Sequence, residues 1–102
     1  MKRLSIKTLE NKRFSILTED LDHCIICGRK KDNLHEVFFG KNRVNSMLYG
    51  CVIPLCYEHH LEIHKNSVLD DIYKDKMQRQ FEKTYPDKNF LKIFYKNYKR
   101  EC

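Results

Sequence analysis

The stretch "CYEHHLEIH", Cys56 to His64, crowds one cysteine and three histidines into nine positions. Such density calls for metal chemistry. Cys56 and His59 stand three apart, the spacing at which two side chains reach one ion from the first turn of a helix. His60 and His64 stand four apart, so a helix opening near Cys56 projects both from one face, where they can share a second ion or simply stand solvated. A single ion has no use for both pairs.

Working outward, "CIICGRK" carries Cys24 and Cys27 as a Cys-x-x-Cys knuckle, and 28 residues separate Cys27 from Cys56. Joined to Cys56 and His59, the knuckle completes a tetrahedral Cys3His set of the kind that binds structural Zn²⁺. The competing readings are buried apolar thiols or a redox pair, and no strand-helix context of the thioredoxin kind surrounds the knuckle. Cys51 and Cys102 lie outside the pattern. Between the two knuckles, "NLHEVFFG" sets His35 beside Glu36 on an expected strand. That pair can offer one ligand and one general base. With a divalent ion on His60 and His64, it makes the combination that phosphodiester hydrolysis requires.

The rest of the chain frames this segment. At 102 residues it has the length of one domain with a modest core, the size at which a metal often supplements buried apolar area. Twenty Lys and Arg against fourteen Asp and Glu give a net charge of +6, which favours a polyanionic partner. No apolar run approaches the roughly 20 residues of a membrane span, and "MKRLSIKTLENKRF" is too charged for a signal-peptide core. The expectation is a cytoplasmic protein with no membrane partner, a setting in which five cysteines serve as thiols or ligands rather than disulfides.

Residues 1–20, with Leu4, Ile6, Phe14, Ile16 and Leu17, read as an N-terminal arm able to form a short strand or to dock. Residues 21–102 read as one domain. "LHEVFF" and "CVIPLC" have the β-branched and aromatic content of short strands, punctuated by Gly28, Gly40 and Gly50. From residue 67 to 98 the pattern is helical: Ser67 with Asp70 is a candidate cap, and Leu69, Ile72, Met77 and Phe81 share a face. After a break at Pro86, Phe90, Leu91, Phe94 and Tyr98 share another. The fold class is therefore α+β.

Cys-x-x-Cys, then His-Glu on a strand, then Leu-Cys-x-x-His-His opening a helix resembles the HNH, or ββα-metal, nucleases. Within them, "LHEVFFGKNRVNSMLYGCVIPLCYEHHLEIH" and "FEKTYPDKNFLKIFYKNY" are similar to small phage-encoded members related to the recombination-enhancing, RecA-dependent endonuclease. The resemblance spans roughly residues 24–98. It implies a small ββα-metal domain with C-terminal helices and metal-dependent DNA cleavage in phage recombination or processing, carried out in the host cytoplasm by a monomer or weak dimer. A recombinase filament is an implied partner. Carried over, Cys24, Cys27, Cys56 and His59 match structural zinc ligands, and His60 and His64 match the ligands of a catalytic Mg²⁺ or Mn²⁺ (Zn²⁺ or Ni²⁺ in a crystal).

Two assignments remain open for the strand: His35 as base with Glu36 orienting it or touching the metal, which is favoured because an imidazole titrates near neutral pH, or His35 as ligand with Glu36 in the base position. The family's middle asparagine falls on Cys51 here, so Asn42 or Asn45 is a candidate to pin the loop instead. Arg43 is a candidate phosphate contact. Arg29, Lys30, Lys31, Lys96, Lys99 and Arg100, with Tyr95 and Tyr98 interleaved, are candidates for outer DNA contacts. A zinc-stabilised DNA-binding or recombination-accessory module that does not cleave is the alternative function, and a zinc adaptor for a phage protein complex is a third.

Overall fold

His35 and the helix histidines are brought together by a small two-stranded sheet. The computed structural model describes residues 5–100; Leu4 and Cys102 lie outside them. Strand β1 (Asn33–Glu36) pairs antiparallel with β2 (Val52–Leu55), setting Asn33 against Leu55 and His35 against Ile53. Gly40 and Gly50 take φ of +67° and +75° at the two ends of the connecting segment, values that glycine reaches without a Cβ clash. Between them lie a 3₁₀ turn (Gly40–Asn42) and helix α2 (Arg43–Tyr49). Helix α3 (Tyr57–Lys65) starts two residues after β2. The order β1, β2, α3 thus places a strand histidine against a helix pair. All of β2 is buried, as its unbroken run of Val52, Ile53, Pro54 and Leu55 requires.

Helix α4 (Ser67–Thr84) packs against α3 and against helix α5 (Phe90–Phe94). Phe38, Phe81, Phe90 and Phe94 meet there with ring centroids 4.7–5.8 Å apart, the separation of tilted and offset aromatic pairs. Met77, Ile63, Ile53 and Leu55 complete the core. This is an α+β fold, and no described helix is long and apolar enough to cross a membrane.

Four local expectations are corrected. The N-terminal arm forms helix α1 (Ile6–Asn11), not a strand, with Ser5 accepting from the Thr8 N–H as its cap and Leu9 buried. The cap of α4 is Asn66, whose side chain accepts from Val68 N and Leu69 N at 3.0 and 3.3 Å; Ser67 is already the first helical residue. Leu91 is 52% exposed because α5 has only five residues and buries the i, i+4 pair Phe90 and Phe94. Tyr98 lies beyond α5 but still reaches the core, its ring 5.0 Å from that of Phe38. Gln78 holds that tail in place, accepting from Tyr98 N at 2.7 Å and donating to Asn97 Oδ1 at 2.9 Å.

Candidate metal centres

Cys24 to Cys27 form a tight turn closed by the Gly28 N–H on Cys24 O at 2.9 Å, after which Gly28's φ of +78° turns Arg29 O back to the Cys24 N–H at 2.7 Å. Ile25 N–H bonds Pro54 O at 2.9 Å, so the turn is sewn to the outer edge of β2. Cys56 is the N-cap of α3, and His59 sits in its first turn. Sγ of Cys27 and Cys56 are 3.8 Å apart, and His59 Nδ1 lies 3.3 Å from Cys56 Sγ and 3.5 Å from Cys24 Sγ. Two sulfurs about 2.3 Å from one tetrahedral ion would stand about 3.8 Å apart, which the cysteine pair matches. All four donor atoms lie within 4.8 Å of one another, so the cluster can hold a metal ion. Burial works against ionising the Cys24 thiol, yet backbone N–H groups of Cys56, Cys27 and Ile26 outweigh it and bring the pKa down to about 6. A thiolate is the form that binds metal.

The second cluster joins β1 to α3. His60 and His64, one turn apart on α3, bring their Nε2 atoms to 3.2 Å. The His35 ring stands 5.8 Å from that of His60 and 5.5 Å from that of His64, and one donor atom from each of the three lies within 4.8 Å of the others. His35 is 5% exposed and its Nε2 is buried with no hydrogen-bond partner among the described residues. An unpaired buried nitrogen is costly, and a metal ion is a partner that removes the cost. Burial, with His64, His60 and Lys74 adding to it, pushes the His35 pKa down to about 4. His60 is lowered by burial and by His64, against Asp32 and Glu36. His35 therefore presents a neutral lone pair at pH 7, as metal binding demands.

Glu36, the next residue, belongs to a different network. Its Oε1 accepts from Arg43 Nε at 2.8 Å and from Arg13 Nη1 at 3.5 Å. Arg43 Nη2 also donates to Glu10 Oε2 at 2.8 Å, and Arg13 donates to Glu10 O and Leu34 O. Helix α1 is thereby tied to β1 and α2. Arg43, expected to be open to a phosphate, is held by two carboxylates, although it remains 39% exposed. Neither Arg13 nor Glu10 stands out in the sequence, since each is an ordinary charge in a charged arm.

The loop is pinned by Ser46, a residue the sequence reading missed. Its Oγ donates to Phe38 O at 2.5 Å and accepts from Phe38 N at 3.2 Å, while its carbonyl takes the Cys51 N–H at 2.8 Å. Asn42 and Asn45 hold the same segment from its other side, each donating Nδ2 at 3.2 Å to a carbonyl of α5, Phe94 O and Ile93 O. At position 51 the fully buried cysteine contributes backbone bonds, and burial raises its thiol pKa strongly.

Among the outer basic residues, Arg29 pairs with Glu58, Lys99 with Glu82 and Arg100 with Asp71. Such exposed pairs are weak and can exchange with phosphate. Tyr98 belongs to the core, whereas Tyr95 is 69% exposed. Comparison with protein-family models, curated proteins and solved structures finds no match for this chain.

Proposed function

We propose that the protein is a metal-dependent DNA endonuclease of the HNH type. The observation that carries this reading is the convergence of His35, His60 and His64 on one β1–β2–α3 unit, separate from a Cys3His cluster on the same helix. In it, Cys24, Cys27, Cys56 and His59 hold Zn²⁺ and fasten the first knuckle to α3. The three histidines would hold a divalent ion that supplies Lewis-acid stabilisation of charge developing on the phosphate; three imidazole nitrogens suit Zn²⁺ or Ni²⁺ better than Mn²⁺, and Mg²⁺ least, since it prefers oxygen donors.

The remaining steps fall to side chains. The burial and neutrality of His35 support its role as third donor. Glu36, next to His35 on β1, is then the residue in the base position, and it would have to loosen its pairing with Arg13 and Arg43 to take the proton of the attacking water. Arg43 exchanges Glu10 for a phosphate oxygen as DNA enters, a swap that its half-exposed position permits. The net charge of +6 draws the polyanion in.

The same ion pairs favour a second reading. With Glu36 committed to Arg13 and Arg43, the site binds DNA without cutting it, as an accessory module would. Incubating zinc-loaded protein with supercoiled plasmid and with single-stranded DNA, each with Mg²⁺ or Mn²⁺, separates the two. The endonuclease reading expects metal-dependent nicking that drops at least 100-fold in His60→Ala while zinc content is unchanged. DNA binding without nicking by the unaltered protein would overturn it.

A further inference from the structure

Phe38 and Phe39 are neighbours with opposite fates. Phe38 is 1% exposed in the aromatic core, while Phe39 is 49% exposed beside the histidine cluster, its ring 6.1 Å from that of His35 and 6.4 Å from that of His64. The Phe39 ring is not loose. Lys74 Nζ lies 4.4 Å from its centroid, and Asp70, 2.8 Å from that ammonium, fixes the lysine in turn. Two residues along the chain, Lys41 brings its Nζ to 5.5 Å from the ring of Tyr95. Tyr95 is 69% exposed and is the one non-glycine described at positive φ, 69°. A left-handed tyrosine is strained, and such strain gathers where a side chain is aimed for use.

Exposed aromatic rings interleaved with ammonium groups form the surface on which single-stranded nucleic acid is held, the rings stacking on bases and the cations meeting phosphates. Within a duplex, base faces are covered by their neighbours. A protein ring can therefore stack only on a base that is unpaired or has been drawn out of the helix. We propose that Phe39, beside the histidine cluster, and Tyr95, with the exposed Lys41 as the cation for phosphate and the largely buried Lys74 only backing the Phe39 ring, form a stacking track for unpaired DNA bases, making single-stranded or locally opened DNA the substrate. The inference rests on the nuclease reading and deepens it by naming the substrate class.

The test is binding without Mg²⁺, so that nothing is cut, using labelled oligo-dT and a hairpin duplex of equal charge with zinc-loaded protein. Phe39→Ala and Tyr95→Asn should each weaken oligo-dT binding about tenfold and duplex binding less than twofold; asparagine preserves the left-handed backbone at 95. The chain has no tryptophan, so Phe39→Trp creates a lone tryptophan that can be excited selectively, at wavelengths too long for the six tyrosines to absorb. Its emission should be quenched by oligo-dT and not by duplex, with affinity retained. Equal losses on both probes, no loss on either, or an unquenched tryptophan would overturn the inference. Strand preference without nicking would overturn the nuclease reading and leave the track standing. Nicking with no strand preference would do the reverse.

Discussion

Replacing Ser46 with alanine takes two hydrogen bonds from a residue with no solvent access. The methyl group nearly fills the space, so the cost arises from a Phe38 N–H and C=O left unpaired in the interior. At about 1–3 kcal/mol for each buried group, reduced by partial relaxation of the carbonyl, the loss comes to about 3 kcal/mol. That is a large share of the roughly 5–15 kcal/mol that holds a small domain together. At about 4–8 °C per kcal/mol for a chain of this length, the thermal midpoint should fall by about 12–24 °C. Because Phe38 follows His35 by three residues, the loosened segment should also weaken divalent-ion binding at the histidine cluster by about tenfold while the Cys3His cluster keeps its metal. Circular dichroism melts in excess zinc and a metal titration of the same samples measure both effects. A shift below about 3 °C with unchanged affinity would mean that the Asn42 and Asn45 bonds to α5 suffice, and the pinning role of Ser46 would be wrong.

The cap assignment separates two neighbours: Asn66→Ala should cost about 1 kcal/mol in urea unfolding and Ser67→Ala a few tenths at most, so equal effects would contradict the observed cap. Gly50→Ala should destabilise more than Gly28→Ala in the same assay, by about 1 kcal/mol or more. Both have positive φ, but only at Gly50 would a Cβ fall 2.4 Å from the Phe14 ring. For His35, the unfolded chain takes up a proton near pH 6.5 and the folded protein only near 4, so stability is full above 6.5 and declines as pH falls through that window. At about 1.4 kcal/mol per pH unit the loss reaches about 3 kcal/mol when the histidine cluster is metal-free. His35→Gln should remove most of this dependence between pH 7 and 5, and an unchanged slope would assign it elsewhere.

Features written in local spacing are found where the sequence places them. Cys24, Cys27, Cys56 and His59 converge, His60 and His64 share a helix face, and the runs around His35 and Ile53 form the paired strands. Each depends on residues a few positions apart or on composition that admits one backbone. What escaped is long-range. Ser46 lies eight residues from Phe38, and nothing in "RVNSMLYG" marks it as an anchor. Glu36 reads as a free carboxylate until α1 folds back and Arg13, 23 residues away, reaches it. The arm shows no helical periodicity over six residues, and its helix is secured by the Ser5 cap and by Leu9 packing. Residues 95–98 look like more helix because their apolar spacing continues, yet α5 stops at a left-handed Tyr95 and Gln78 captures the tail.

Titration of the metal-free protein with Co²⁺, followed by absorption, tests most directly whether two chemically distinct centres exist. The first equivalent should bring thiolate-to-cobalt charge-transfer bands from Cys24, Cys27 and Cys56, and a second should bind without adding to them. His60→Ala should lose only the second equivalent, and Cys56→Ala should lose the original thiolate spectrum. A single equivalent in the unaltered protein, or loss of the thiolate bands in His60→Ala, would contradict two separate centres.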